Sequence, residues 1–490
     1  MAENRRWWAL VVIALAQLMV VLDMTIVNIA LPSAQADLNM SDGNRQWVIT
    51  AYTLAFGGLL LLGGRVADLA GRKKTFMIGL IGFAAASALG GAAVNEGMLF
   101  GARALQGVFA ALLAPSALSL LTTTFTDPKD RSKAFGVFGA IVGAGAAIGL
   151  LAGGFLTQYL DWRWCLYVNV PIALVAFVGA WVLLGSGGRH PDAHLDVPGA
   201  LLGSIGMLSL VYGFSEAESR SWGDGLVLTL LAVGVVLLGA FAFWQTRARV
   251  PLLPMTVVRD RQRVGAFLTT LLVTIGMFGV FLFLTYYMQR VLGYSPVKTG
   301  VAYLPITAGM IIGSTQVAAR LLNRVPPRTL MVPGLLVAAG ALAIIAQVGV
   351  EPAYASHILP GMFMLGLGMG TTMMTSVSLA TGSVAPRDSG AASATFNTAQ
   401  QVGGSIGTAL LNTIAATVTA RYATAHAGPG VNKQLLEAKA AVHGFNVATW
   451  WAMGSLLLAA LIAGVVVNAD RVPTPQTARE RTPEPVDSAI

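Results

Sequence analysis

The sequence predicts an all-α integral membrane protein that crosses the bilayer fourteen times. Three observations carry that prediction. Of 490 residues, 55% are hydrophobic and 11% are charged, against about 25% charged in a soluble domain. The mean hydropathy is +0.70. Apolar runs of about 20 residues, the length a helix needs to cross a bilayer, recur from one end of the chain to the other. No soluble-looking block longer than about 30 residues separates them, so nearly the whole chain is expected in or against the membrane.

The first run extends from Trp7 to Leu31 after Arg5 and Arg6. It is longer than a signal-peptide core, no small-residue cleavage site ends it, and many similar runs follow, so it reads as the first span. The remaining spans are expected at 46–64, 75–94, 98–121, 134–158, 164–185, 197–216, 225–246, 264–288, 299–319, 329–349, 356–381, 390–418 and 446–468. An even number places both termini on one side. With the N-terminus inside, 22 Lys and Arg residues fall on the inner side, 8 on the outer side and one, Arg103, within a span. Cytoplasmic loops retain the excess of cations, so both ends are expected in the cytoplasm of a bacterial inner membrane. The same loop distribution accounts for the net charge of +9 without a nucleic acid partner. A single cysteine, Cys165, excludes an internal disulfide and a cysteine-based metal site. VNKQLLEAKAAVHGF, in the outer stretch 419–445, reads as a short amphipathic helix lying along the membrane or over the pore mouth. The Pro-rich, charged tail RVPTPQTARERTPEPVDSAI reads as disordered.

Two charges inside spans demand a reason. An ionised Asp at bilayer depth costs roughly 2.5–3.5 kcal/mol on insertion scales and is kept where it has a partner or a task. Asp23 in QLMVVLDMTIVNIALP lies eight residues before the end of the first span, and Arg103 in RALQGVFAAL lies five residues into the fourth. At 1.5 Å per residue these are depths of roughly 12 Å and 8 Å. The two are therefore expected to pair beside an aqueous cavity. A plain structural ion pair locking two helices is the alternative. A carboxyl whose access to water alternates between faces can carry a proton.

Between the second and third spans, GGRVADLAGRKK places Gly64, Asp68, Gly71 and Arg72 in a G-x-x-x-D-x-x-G-R-K pattern. Glycine permits a sharp inner turn, and the charges can hold neighbouring helix ends. This loop resembles the signature of the major facilitator superfamily. LDMTIVNIALP, RALQG, WRWCLYVNVPIA and QRVLGYSPVKTGVAYLP are similar to stretches of its fourteen-helix drug/proton antiporter branch. The resemblance runs from the first span through NTAQQVGGSIGTALLNT in the thirteenth. It implies a major facilitator fold of two six-helix bundles plus two additional central helices. The corresponding organisation is 1–190 for the N-terminal bundle, 191–250 for the extra pair, 251–470 for the C-terminal bundle and 471–490 for the tail. It also implies that Gly64, Asp68, Gly71 and Arg72 latch the inward-closed state, and that the protein is a multidrug or antiseptic exporter rather than an enzyme.

In the fifth span, GAGAAIGLLAGG sets Gly145, Gly149 and Gly153 at i, i+4 and i+8, with Gly154 beside them. Small residues at that spacing let helices approach closely, which suits an interface about which two halves rock. The branch usually has Gly-Pro here, whereas Gly149 is followed by Leu150. The late helices also lack acids: no Asp or Glu occurs between Asp388 and Glu437. Asp23 is then the main proton site and the strongest anionic contact for substrate, which favours lipophilic neutral or monocationic compounds. Tyr52, Gln106, Asn397 and Gln400 are polar residues in apolar helices that are expected either to line the cavity or to bond helix to helix. The run MFMLGLGMGTTMM reads as adaptable packing.

Two motifs mislead. GGSIG at 403–407 matches an esterase elbow, and GAGAAIG a dinucleotide turn, but both lie in apolar helices with no strand before them. No Walker motif supplies ATP chemistry, and no cofactor or metal is expected beyond the proton as coupling ion. The sequence thus predicts a monomeric proton-coupled exporter of small lipophilic drugs, antibiotics or secondary metabolites, surrounded by lipid. A proton-coupled importer or a lipid or metabolite transporter on the same fold remains the alternative, with a non-transporting membrane sensor behind it.

Overall fold

The computed structural model describes residues 3–41, 44–125, 127, 130, 134, 145, 148–185, 196–220, 222–248, 251–253, 255–322, 324–351, 354–381, 389–428 and 432–467. Its long helices are α1 (Glu3–Asp37), α2 (Trp47–Ala70), α3 (Arg72–Gly91), α4 (Glu96–Thr124), α5 (148–159), α6 (Trp164–Leu183), α7 (Val197–Arg220), α8 (Gly225–Gln245), α9 (Arg261–Val291), α10 (Pro296–Leu321), α11 (Arg328–Ile345), α12 (Tyr354–Ala380), α13 (Ser389–Ala425) and α14 (Lys433–Val466). Helices dominate because lipid offers backbone N–H and C=O groups no water, so each span must satisfy its own. Among the described residues, twelve helices are long and apolar enough to cross a membrane. The described apolar part of α2, Trp47–Leu60, is shorter, and α5 is described only in part. The expected fourteenfold crossing therefore rests on those two segments. The predicted tail lies outside the described residues.

One expectation is corrected. VNKQLLEAKAAVHGF does not form a separate surface helix: from Lys433 onward it is the first part of the 34-residue α14. Asn432 starts it, its side chain accepting from Leu435 N at 3.2 Å, and no residue between Lys433 and Phe445 is Gly or Pro until Gly444. Nothing interrupts the helix before the apolar run that follows. Gly444 also suits a close crossing, since a Cβ there would meet Thr419 and the Ala415 carbonyl of α13.

Contacts set which helix ends lie together. Arg5 Nη2 donates to the Val182 carbonyl at 2.6 Å, and Lys73 Nζ to the carbonyls of Trp181 and Leu184 at 2.8 and 2.7 Å. Arg261 Nη2 donates to the Val465 carbonyl at 2.5 Å. The starts of α1, α3 and α9 and the ends of α6 and α14 thus share one end of the bundle, the termini end. The opposite, far end carries the end of α1 and the start of α2. There hydrogen bonds join residues before 185 to residues after 251: Tyr286 to Gln35 at 2.7 Å, Asn412 to Gln46 at 2.6 Å, Gln289 to the Ile29 carbonyl at 3.2 Å, and Val297 N to Gln158 at 3.2 Å. The Arg45 guanidinium lies 4.1 Å from the Tyr286 ring centroid.

The helices α7 and α8 pack on each other, and α7 also runs along α2 and α13. Its Ser204 hydroxyl donates to the Gly58 carbonyl at 2.7 Å. Two large buried clusters form the core. One unites α1, α2, α3, α4 and α6 around Phe76, Leu80 and Phe83. The other unites α9 to α14 around Tyr303, Met331 and Met362. Met362 and Met369 of the methionine-rich run are buried in the second, where an unbranched side chain fills irregular gaps.

Candidate functional site

Asp23, near the middle of α1, is fully buried, and its carboxylate collects three donors. Arg103 Nη1 donates to Oδ2 at 2.6 Å, while Gln106 Nε2 and Asn169 Nδ2 donate to Oδ1 at 3.0 and 2.8 Å. The guanidinium is held in turn. Its Nη1 also donates to Gln106 Oε1 at 2.9 Å, and its Nε to the Val48 carbonyl at 2.9 Å. Its carbon lies 4.5 Å from the Tyr52 ring centroid, in cation–π range. Ser87 Oγ accepts from Gln106 and Asn169 at 3.0 and 2.9 Å and donates to the Leu166 carbonyl at 2.8 Å. Five helices, α1, α2, α3, α4 and α6, meet at this one ion pair.

Local sequence explains the convergence. Arg103, Gln106 and Gly107 stand at i, i+3 and i+4, on one face of α4. A Cβ at Gly107 would meet the Tyr52 carbonyl and Ala55, so glycine brings α2 against α4 and the Tyr52 ring onto the guanidinium. A buried ion pair is tolerable only when its remaining donors and acceptors are satisfied. Gln106 does this by donating to the carboxylate while accepting from the guanidinium.

Among the described residues, two buried polar atoms in the cluster have no partner, Asn169 Oδ1 and the Tyr52 hydroxyl. A carboxylate only accepts, whereas a carboxyl also donates one O–H. Turned through half a rotation, the Asn169 amide would present its orphaned oxygen to Asp23. The same side chain can therefore donate to the carboxylate or accept from the carboxyl.

The cluster is dry. Asp23 is 0% and Arg103 2% exposed. In place of the expected aqueous cavity, a void of about 10 Å³ lies beside them, near the least space that holds one water. It touches Arg103 and is otherwise walled by Val27, Ala30, Leu31, Val48, Leu99, Trp162 and other apolar residues. These follow Asp23 along α1 and precede Arg103 along α4, so the void lies on the far-end side of the pair. Two charges in low dielectric are best served by protein donors, and an apolar plug toward the far end keeps water off them.

The other predicted residues are distributed as follows. Tyr52 and Gln106 belong to the buried cluster, with no exposure to line a cavity. Asn397 and Gln400 lie half-buried on α13, and Gln400 Nε2 sits 4.0 Å from Met373 Sδ. Gly71 joins α2 to α3 with φ +95° and ψ 131°, a conformation essentially reserved for glycine. A Cβ on Gly64 would lie 3.6 Å from Pro115. Arg72 is half-buried, and the Asp68 side chain lies outside the described residues.

The glycines of α5, and Gly145 before it, pack on α1. Cβ atoms at Gly145, Gly149 and Gly153 would meet Leu18 and Val21, then Thr25 and the Leu22 carbonyl, then Ile26. This is the stretch of α1 that carries Asp23. Gly154 faces the other way, toward Pro296 and Val297 of α10, and Gly300 approaches the Leu150 carbonyl. Leu150, at the position where the resembling branch has proline, is buried in the core cluster formed mainly by α9 to α14. Among the described residues no group of three or more His, Cys, Asp or Glu side chains is placed to hold a metal ion.

Sequence reasoning overlooked Asn169 and Ser87. A signal for Asn169 existed: it is a polar residue in the apolar run WCLYVNVPIALVAFV. Ser87 carried none, because a serine in a helix can always bond its own backbone.

The sequence matches the family model described as Major Facilitator Superfamily over residues 13–408. It is 55% identical to the puromycin resistance protein pur8 of Streptomyces alboniger over 471 residues, covering 95% of this chain and 92% of that one. It is 38% identical to the cephamycin export protein CmcT of Amycolatopsis lactamdurans, covering 83% and 84%. It is 35% identical to the tetracenomycin C resistance and export protein of Streptomyces glaucescens, covering 84% and 77%. Among solved structures, a bacterial homolog of the human lysosomal transporter Spinster, inward-facing and occupied, superimposes with a TM-score of 0.68 at 17% identity, covering 97% of this chain and 100% of that one. The POT family transporter PepTSo superimposes at 0.67 with 15% identity, covering 95% and 98%. Both likenesses are of fold.

Proposed function

Because the chain belongs to the major facilitator superfamily, we propose that it exports an antibiotic or related lipophilic secondary metabolite in exchange for protons, by alternating access. The resistance and export activities named for its relatives support the cargo class. Puromycin is the first compound to test, given the 55% identity to a puromycin resistance protein. Orientation follows from the Lys and Arg distribution, which puts the termini end in the cytoplasm of a bacterial inner membrane. The far-end contacts then close the outer side.

The observation that carries proton coupling is the sealed Asp23 cluster with its orphaned Asn169 oxygen. Parting the far-end contacts opens the apolar plug, and water reaches Asp23 from outside. A proton taken up there neutralises the carboxylate, weakens its pairing with Arg103 and turns the Asn169 amide to accept from the new O–H. The glycine face of α5 lets α1 shift with little side-chain resistance, and the contacts of Gly154 and Leu150 pass that shift to α10. Closing outside returns Asp23 to its three donors, and the proton leaves inward as substrate binds. Gly71, in a glycine-only conformation at the α2–α3 turn, serves the latch together with Gly64, Asp68 and Arg72.

Purified protein in proteoliposomes tests this reading. An imposed pH gradient should drive puromycin against the direction of proton flow, and collapsing the gradient should stop it. Puromycin moving with the protons would favour the importer, and no pH-driven movement of any related drug would defeat both.

A further inference from the structure

A second and larger cavity lies away from the Asp23 cluster, between the start of α3, the middle of α4 and the end of α6. It encloses about 850 Å³, within the range of about 300–1,000 Å³ typical of small-molecule sites. Its rim carries Lys73 and Lys74, its floor Met77, Ile78 and Ile81, and its outer wall Trp181. Lys74, Met77, Ile78 and Ile81 share one face of α3 at i, i+3, i+4 and i+7. Over roughly 10 Å along the helix the groove therefore passes from cationic to wholly apolar.

Charge and exposure define the occupant. Among the described side chains no carboxylate lines the cavity, and Lys74 has no hydrogen-bond or ionic partner there. Lys73 spends two N–H groups on the Trp181 and Leu184 carbonyls at the end of α6, leaving one of its three donors. Ile78, Ile81 and Trp181 remain 46%, 49% and 66% exposed, so the apolar part opens sideways to the bilayer. A ligand fitting this surface has an anionic head at the membrane interface and a hydrocarbon chain running inward. The lysine rim disfavours a cationic substrate, and the apolar depth gives a free phosphate nothing to contact.

We propose that this groove holds an anionic phospholipid of the inner leaflet, its phosphate on Lys74 and Lys73 and one acyl chain against Met77, Ile78 and Ile81. The leaflet assignment rests on the orientation proposed above. The site lies beside Gly71 and joins α3 to α6, so an occupant braces the turn that carries the latch residues.

Native mass spectrometry of the full-length protein, extracted from vesicles mixing phosphatidylglycerol with phosphatidylcholine, tests the site through lipid retention in detergent. That readout depends neither on orientation nor on transport. Wild-type protein should retain phosphatidylglycerol over phosphatidylcholine. Lys74→Gln should lower that preference about fivefold, the effect of one interfacial lysine on anionic lipid, while Lys74→Arg should keep it. Ile81→Trp, which fills the groove, should lower retention of both lipids. An unchanged preference in Lys74→Gln would overturn the proposal, as would displacement of the lipid by inorganic phosphate alone. Should a variant fail to fold, quenching of wild-type tryptophan fluorescence more strongly by brominated phosphatidylglycerol than by brominated phosphatidylcholine supports the site. Equal quenching by both overturns it.

Discussion

Replacing Asp23 by Asn separates the structural role of the buried pair from the proton-coupling role proposed for it. In the wild type the carboxylate accepts from Arg103, Gln106 and Asn169. An amide of the same shape keeps one oxygen and sets an N–H₂ against at least one of those donors. Arg103, 2% exposed, loses its counter-charge, and breaking one side of a buried pair costs about 3–5 kcal/mol. Much of a total stability of about 5–15 kcal/mol is then lost, so lost transport alone would prove nothing about protons. The double variant Asp23→Asn/Arg103→Gln removes both charges, and its stability should recover most of the deficit. Thermal unfolding in detergent measures that recovery, and pH-driven drug transport in proteoliposomes measures coupling. The expected pattern is a stable double variant that binds drug and carries it down its own gradient but not against one in response to pH. Full pH-driven transport by either variant would refute the assignment of Asp23 as the coupling group.

Other consequences follow from neighbouring geometry. Gly149→Ala puts a methyl group onto Thr25 and the Leu22 carbonyl. Overpacking there should cost about 1–3 kcal/mol and slow transport, seen as a lower unfolding temperature and a reduced turnover. Asn169→Leu strips one donor from Asp23 and one from Ser87, a loss of about 1–3 kcal/mol for groups left unpaired. Its drug transport should lose pH dependence while drug binding persists, and an unaltered pH profile would remove Asn169 from the proton step. Cysteines at Gln46 and Asn412, whose side chains now bond at 2.6 Å, should react with a short thiol cross-linker. Transport should stop on cross-linking and return on reduction, and continued turnover in the cross-linked protein would show that the far end need not open. The native Cys165 is buried and should not compete.

Much of this protein is determined by one-dimensional information. A bilayer forces each crossing to be a long apolar helix and makes every intramembrane charge costly, so the helical class, the span positions and the importance of Asp23 and Arg103 are readable from composition and spacing. Their pairing follows from depth, because two opposite charges at one level lower each other's cost. Only the tertiary structure decided who completes the cluster. The supporting side chains of Gln106, Asn169 and Ser87 come from three helices, and polar side chains on apolar helices look alike until packing shows which face they take. Packing also decided that the site is dry, that α5 places its glycines on the Asp23 stretch of α1, and that Leu150 is buried in the cluster formed mainly by α9 to α14. The reason is common to all three: period and hydropathy say what a helix buries, whereas the partner it is buried against depends on contacts between residues far apart in the chain.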